Sequence, residues 1–115
     1  MRRPSPICNC RLKARVMRAL GHPLRLAIAE YLGGGERCVC EIAEWIGAGR
    51  PNVSRHLALM RSAGVVEFRS EGPKALYRLK TPCVVEVLSC VEKVLRQQNK
   101  RRSASAAKRA TRDEA

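Results

Sequence analysis

Apolar residues recur every three or four positions in the first part of the chain, a spacing that predicts helices. The first stripe consists of Leu12, Val16 and Leu20. Gly21 ends this helix, and Pro23 suits the first turn of the next one, where its missing N–H costs nothing. Three consecutive glycines, 33–35, stop the second helix. Two helices therefore precede the central part of the chain.

The central part predicts two more helices joined by a short turn. The third helix runs from about Cys38 to Ile46, and the glycine-containing segment 47–49 forms the turn. The fourth helix extends from about Pro51 to Ser62. Two helices with a short glycine turn between them are typical of a helix-turn-helix.

The fourth helix has one apolar side and one polar side. At about 100° per residue, Val53, Leu57 and Met60 fall together and must face the core. The other side carries small, hydrogen-bonding and basic groups, which suit a helix in the major groove of DNA; a solvated face is the alternative. The candidate DNA-binding residues here are Arg50, Asn52, Ser54 and Arg55.

After Gly64 the apolar period changes to two, which is typical of strands. Residues 65–70 and 75–80 alternate, and the four residues between them form a turn, so we predict a β-hairpin. The hairpin carries Arg69, Lys74 and Arg78. We expect these three side chains to contact phosphate groups, as the wing of a winged helix does.

A last helix is predicted from Pro82, with a wide apolar stripe that includes Leu88, Val91 and Leu95. Such a stripe is wide for a small monomer, so we expect it to meet its copy across a two-fold axis, beside the first helix. The predicted fold class is mainly α with a small β-hairpin (α+β), in the order ααααββα. We predict an extended N-terminal arm at 1–10, a winged-helix DNA-binding and dimerisation domain at 11–98, and a disordered basic tail at 99–115.

The charge of the chain supports a nucleic-acid partner. Its formal net charge is +13 and its pI is about 10.4, and such an excess attracts polyanions. An anionic membrane surface is the rival partner, but we find no apolar run long enough to span a bilayer and no signal peptide. We therefore expect a cytoplasmic protein that is not membrane-bound. With two histidines and a single aspartate, Asp113, the chain is not expected to be an enzyme.

Six cysteines remain to be explained. In a reducing cytoplasm they are expected to act as metal ligands or redox groups rather than as disulfides. Two residues apart on a regular helix, Cys38 and Cys40 would point about 200° apart, so binding one ion would distort that helix. Cys8 and Cys10 form a second pair. Thiolate ligands select soft ions such as As(III), Sb(III), Cd(II), Pb(II) or Zn(II).

Three stretches of the chain carry a family resemblance: LGHPLRLAIAEYL, CVCEIAEWIG and NVSRHLALMRSAGVVEFRSEGPKALYRL. They closely resemble the ArsR/SmtB family of winged-helix, metal-responsive repressors, over about Leu12 to Leu95. The resemblance implies a homodimer that binds its operator when empty and is released by metal. It matches Cys38-Val39-Cys40 to the family's third-helix metal box and residues 52–57 to its recognition-helix signature.

The chain also departs from the family's ligand patterns. Ala43 stands where the arsenic-sensing branch often has a third cysteine. Cys8 and Cys10 match the N-terminal cysteines of the cadmium/lead branch, although their arm is short. The last helix has neither the Asp nor the His ligands of the zinc branch, but Cys83 and Cys90 occur there. These two are reserve candidates for metal binding; small apolar residues of an interface or a redox pair are the alternatives.

Together these observations predict a transcriptional repressor that leaves operator DNA when a thiophilic metal or metalloid ion binds cysteine. Two other functions remain open. The first is a repressor in which the thiols are oxidised without metal. The second is an architectural DNA-binding protein with a structural zinc ion.

Overall fold

The protein is described from a computed structural model, which covers the backbone of residues 6–114 and the side chains of residues 7–103. Within these residues, five helices and three strands follow in the order α1 (Pro6–Leu20), α2 (Pro23–Leu32), β1 (Arg37–Cys38), α3 (Val39–Ile46), α4 (Arg50–Ser62), β2 (Val66–Glu71), β3 (Lys74–Leu79) and α5 (Val84–Glu114). The chain divides into two units, 1–84 and 85–115, and the domain expected at 11–98 stays a prediction. The first unit holds the helix-turn-helix and the sheet, and the second is α5.

The predicted mainly α fold with a winged helix-turn-helix is confirmed, and one further strand is present. The sheet is antiparallel with the order β1-β3-β2. The hairpin β2–β3 turns at Gly72, whose φ of 60° favours glycine. Strand β1 pairs Arg37 with Tyr77 and Cys38 with Leu76. It has only two residues, so no alternation in the sequence could indicate it.

The core of the first unit fixes the position of α4. The predicted inward side of α4 is confirmed, because Val53, Leu57 and Met60 have no exposed surface. Ile28 of α2 and Ile42 of α3 are also fully buried. Apolar burial of this kind is the main stabilising contribution to such a fold. The polar side of α4 is thereby turned outward.

The structure differs from the sequence predictions at both ends. Residues 6–10 are the first residues of α1 rather than part of an extended arm, since Pro6 suits the first turn of a helix. Residues 1–5 of that arm lie outside the described part. Helix α5 continues to Glu114, so the predicted disordered tail is helical; no glycine or proline follows Pro82, and Ala, Arg, Lys and Gln favour helices.

Helices α1 and α5 each carry exposed apolar side chains. On α1, Leu12 and Met17 are 57% and 55% exposed. The exposed apolar residues of α5 are Val85, Val87, Val91, Val94 and Leu95. In the described part of the chain, no helix is both long and apolar enough to span a bilayer.

Candidate DNA-binding and thiol sites

The turn before α4 is built from glycine. Gly47 ends α3 in the left-handed conformation, with φ of 78°, and its N–H donates to the carbonyl of Ala43 at 2.8 Å. Gly49 then precedes α4 in an extended conformation, and Pro51 lies in the first turn. The α3–α4 pair therefore has the short, sharp connection of a helix-turn-helix.

The predicted base-contacting residues all lie on the exposed side of α4. Arg50, Asn52, Ser54 and Arg55 are solvent-exposed. An Nη2 of Arg55 donates to Oδ1 of Asn52 at 3.5 Å, so one exposed side chain orients the other. Arginine and asparagine are the residues that pair with guanine and adenine edges in the major groove. Contact with bases stays a prediction.

His56 has a packing and hydrogen-bonding position, as predicted from its place at the edge of the buried stripe. Its ring lies 4.5 Å from that of His22, and its Nδ1 accepts from Nη1 of Arg25 at 3.4 Å. Burial lowers the pKa of His56, and the positive charges of neighbouring groups act in the same direction. His22 in turn is the N-cap of α2, with its Nδ1 accepting from the N–H of Leu24 at 3.1 Å. This cluster joins α2 to α4.

The wing arginines occupy an ion-pair network. The Nε of Arg69 donates to Oε2 of Glu36 at 2.9 Å, and its Nη2 lies 3.4 Å from a Glu71 oxygen. The Nε of Arg78 donates to Oε1 of Glu67 at 2.7 Å. Both guanidinium groups therefore have carboxylate partners, which the prediction of a basic hairpin did not include.

Lys74 differs from the two wing arginines. It lies at the start of β3, next to the hairpin turn, and is exposed. Among residues whose side chains are described, no ion pair involves it. Its ammonium group thus forms no ion pair within the described part, although its charge helps to lower the pKa of the Glu41 carboxyl.

Cys38 and Cys40 lie where β1 passes into α3. Cys38 is the N-cap of α3 in an extended conformation, with φ of −82° and ψ of 162°, and it is buried; Cys40 is half-buried in the first turn. The prediction that both lie on one regular helix is therefore wrong, because Cys38 belongs to a strand. The 200° separation does not apply to this pair.

Glu41 is bonded to Cys38 in this first turn. Its Oε1 accepts from the backbone N–H of Cys38 at 3.4 Å. Hydrogen bonds from the Cys38 side chain and backbone lower the pKa of the Glu41 carboxyl, and nearby Arg37 acts in the same direction. A carboxylate thus lies directly beside the thiol of Cys38.

The other cysteines occupy exposed positions. Cys8 and Cys10 lie on α1, and Cys90 lies on α5. Cys83 precedes α5, so the prediction that both Cys83 and Cys90 lie on the last helix is wrong. Within the described residues of a single chain, no three Cys, His, Asp or Glu side chains come together as a metal site. Cys38 and Cys40 thus lie two residues apart in the chain, and the described residues add no third ligand to make a metal site with them.

Sequence reasoning missed the side-chain contacts around this junction. Tyr31 of α2 stacks on Trp45 of α3, and the guanidinium of Arg37 lies 4.7 Å from the centre of the Tyr31 ring. Trp45 itself is 54% exposed. The role of Glu36 depends on pairing between β1 and β3. The role of Glu36 could have been found only by recognising strand β1 in the sequence.

The comparisons with known proteins agree with this geometry. The model of the family described as "Bacterial regulatory protein, arsR family" matches residues 22–67. An uncharacterized HTH-type transcriptional regulator of Mycobacterium tuberculosis is 36% identical over 86 residues, or 74% of this chain and 75% of that protein. A probable mercury resistance operon repressor of Streptomyces lividans is 36% identical over 75 residues, or 65% of this chain and 60% of that protein.

A solved structure extends the likeness to nearly the whole chain. It is the homodimeric winged helix-turn-helix DNA-binding domain of a possible ArsR-family regulator from Mycobacterium bovis. The TM-score is 0.74 at 31% identity, with 87% of this chain and 94% of that chain covered. The fold, the exposed recognition helix and these relatives lead to one assignment: this chain belongs to the arsR family of winged-helix transcriptional regulators, and it is not an enzyme.

Proposed function

We propose that this protein is a homodimeric repressor that leaves its operator DNA when a thiophilic ion binds cysteine thiolates. The observation that carries the proposal is the position of Cys38, which ends the strand paired with the wing and begins the helix that precedes α4. A change at this residue reaches both predicted DNA-contacting elements. A DNA-binding repressor of this kind acts in the cytoplasm.

The dimer is supported by exposed apolar surface. Apolar side chains on α1 and α5, such as Leu12 and Val91, are exposed to solvent in the single chain. Unpaired apolar surface of this kind is typical of a subunit interface. The M. bovis relative is described as homodimeric, which agrees with a two-fold assembly.

On the DNA side, α4 would read bases and the wing would contact phosphates. Arg55 would pair with guanine and Asn52 with adenine, each contributing about 1–3 kcal/mol of discrimination. Arg50 and Ser54 flank them on the exposed side of the helix. Arg55→Ala should relax operator preference, measured by competition with base-substituted duplexes. Unchanged preference would remove α4 from the base-reading role.

On the thiol side, Cys38 and Cys40 would provide two thiolates of the site. Since one chain brings no three ligands together in its described part, the others would come from Cys8 and Cys10, across the subunits. Three sulfurs in a pyramid suit As(III) or Sb(III), and four in a tetrahedron suit Cd(II) or Zn(II). Cys83 and Cys90 are the reserve ligands.

Binding would act through the first turn of α3. A metal ligand must be a thiolate, so ion binding at Cys38 would release the proton of its thiol. Drawing the Cys38 and Cys40 sulfurs to one ion would then change the backbone where β1 ends and α3 begins. That strain would be transmitted to α4 and to the wing.

The direct test is a titration of the reduced apoprotein with As(III), Sb(III), Cd(II), Pb(II), Zn(II) and Hg(II). Thiolate-to-metal absorbance and DNA release are followed together, in wild type and in each Cys→Ser variant. Loss of release in Cys38→Ser and Cys40→Ser supports the proposal, and normal release in both contradicts it. Cys83→Ser and Cys90→Ser test the two reserve ligands.

A thiol-redox repressor is the second candidate. The observation in its favour is that Cys38 and Cys40 lie where β1 passes into α3, and that the described residues provide no third metal ligand beside them. In this case a chelator would leave the response intact, an oxidant would release DNA, and dithiothreitol would restore binding. An architectural protein would instead purify with stoichiometric zinc and show no release under either treatment.

A further inference from the structure

One carboxylate joins the segment before Cys38 to both arginines of the wing. Glu36 Oε2 accepts from Nε of Arg69 at 2.9 Å, and its Oε1 lies 4.0 Å from Nη1 of Arg78. The Glu36 side chain is 29% exposed, whereas Arg69 and Arg78 are 55% and 56% exposed. The guanidinium groups are thus held at a carboxylate that is itself partly buried.

Strand register explains why these groups meet. Arg37 is paired with Tyr77, and the antiparallel register then brings Glu36 beside Arg78. On the far side of β3, Arg78 is paired with Glu67. Arg78 therefore lies between two carboxylates from neighbouring strands, an arrangement of opposite charges that stabilises a sheet.

The network as a whole does not present positive charge. Glu36, Glu67 and Glu71 supply three carboxylates to two guanidinium groups, those of Arg69 and Arg78. A DNA phosphate that approaches this part of the wing meets arginines that are already paired. To bind them it must displace a carboxylate, and Glu36 is the one that contacts both.

We propose that Glu36 is a positioning residue for DNA binding, which holds Arg69 and Arg78 in the DNA-free protein and yields them to phosphate groups of the duplex. The proposal rests on the wing–DNA contact that is part of the proposed function. Glu36 lies two residues before Cys38, so the same short segment holds the wing arginines and a proposed ion ligand. The start of β1 thereby sets how readily the wing engages DNA.

The test is Glu36→Gln, with the affinity for a labelled duplex of random sequence measured over a range of salt concentrations. Gln keeps the size of the side chain but removes the competing charge. Binding should tighten about two- to tenfold, the order expected when two exposed ion pairs no longer have to break. The salt slope should stay within about one of the wild-type value, because the same two arginines contact phosphate groups in both proteins.

Glu30→Gln is the matched control, since it removes the same charge from an exposed site on α2 with no ion pair among the described side chains. It reports the long-range effect of charge alone. In an Arg69→Ala/Arg78→Ala background, Glu36→Gln should increase the affinity for DNA by no more than Glu30→Gln does. If Glu36→Gln matches Glu30→Gln in the wild-type background, or binds more weakly, the proposal is overturned.

Lys74→Ala separates this result from failure of the proposed function. Among the described side chains Lys74 forms no ion pair with Glu36, so weaker binding of Lys74→Ala establishes wing contact by itself. Wing contact without a gain in Glu36→Gln overturns the role of Glu36 alone. If neither Lys74→Ala nor the double arginine variant weakens binding, the wing contact fails and the role of Glu36 fails with it. Thermal unfolding of each variant verifies that it is folded.

Discussion

The indole of Trp45 stacks on the phenol ring of Tyr31, with ring centres 4.4 Å apart and an angle of 10° between the planes. This contact joins α3 to α2 on the surface of the first unit. Trp45 is the sole tryptophan of the chain and lies five residues after Cys40 in an eight-residue helix. It therefore reports on the helix that begins at the proposed ion ligands.

We expect ion binding at Cys38 and Cys40 to change the fluorescence of Trp45. Strain in the first turn of a short helix shifts its remaining residues, and the stacking on Tyr31 then changes. The measurement is emission intensity during titration of the reduced protein with Cd(II) or As(III). Cys38→Ser should abolish the change, and Ser89→Ala, an exposed position on α5, should preserve it. An equal change in both variants would place the ion elsewhere.

Glu41→Gln should weaken the binding of a soft cation. The negative carboxylate beside Cys38 attracts a bound cation and repels a thiolate that has no ion bound, whereas the amide of Gln carries no charge. The measurement is competition for Cd(II) against a chelator of known affinity. Glu44→Gln, an exposed position on the same helix, is the control. If both variants lose the same affinity for Cd(II), the cause is the net charge of the helix rather than the position of Glu41 beside Cys38.

Leu57→Ala should destabilise the fold by about 2–5 kcal/mol, since it empties a fully buried position under the recognition helix. Leu59→Ala is the matched control on the same helix. Leu59 is 45% exposed, so its truncation should change the unfolding free energy by no more than about 0.5 kcal/mol. Urea denaturation measures both. Similar losses would contradict the assigned inward side of α4.

His56 should make stability depend on pH in mildly acid solution. Burial lowers its pKa in the folded state, so the unfolded chain takes up a proton first as pH falls. The stabilising contribution is present above the ordinary pKa of about 6.5 and is lost as pH falls through the lower folded value. Melting temperatures at pH 7.5 and 5.5 should differ more for wild type than for His56→Gln. An equal difference would exclude His56 as the cause.

The sequence was sufficient for the helix-turn-helix because its signals are local. The inward side of α4 follows from the spacing of Val53, Leu57 and Met60, and the turn follows from its glycines. The hairpin likewise shows a period of two on both sides of a short turn. Each of these features is decided by residues within about a dozen positions of one another.

The sequence was insufficient where distant segments meet. Strand β1 has two residues, and its partner Tyr77 lies on β3, so the extended conformation of Cys38 could not be predicted from local spacing. The ion pairs of Arg69 and Arg78 with Glu36 depend on the same register. The ends were mispredicted for another reason, because helical segments without an apolar stripe have no periodic signal.

The most direct test of the account is the affinity of the ion for the protein with and without DNA. If ion binding at Cys38 and Cys40 weakens DNA binding, then DNA must weaken ion binding by the same factor. Chelator competition on the reduced dimer, alone and saturated with operator duplex, measures both affinities. The account predicts weaker ion binding to the complex, by the factor found for DNA release. Equal ion affinity in the two states would contradict it.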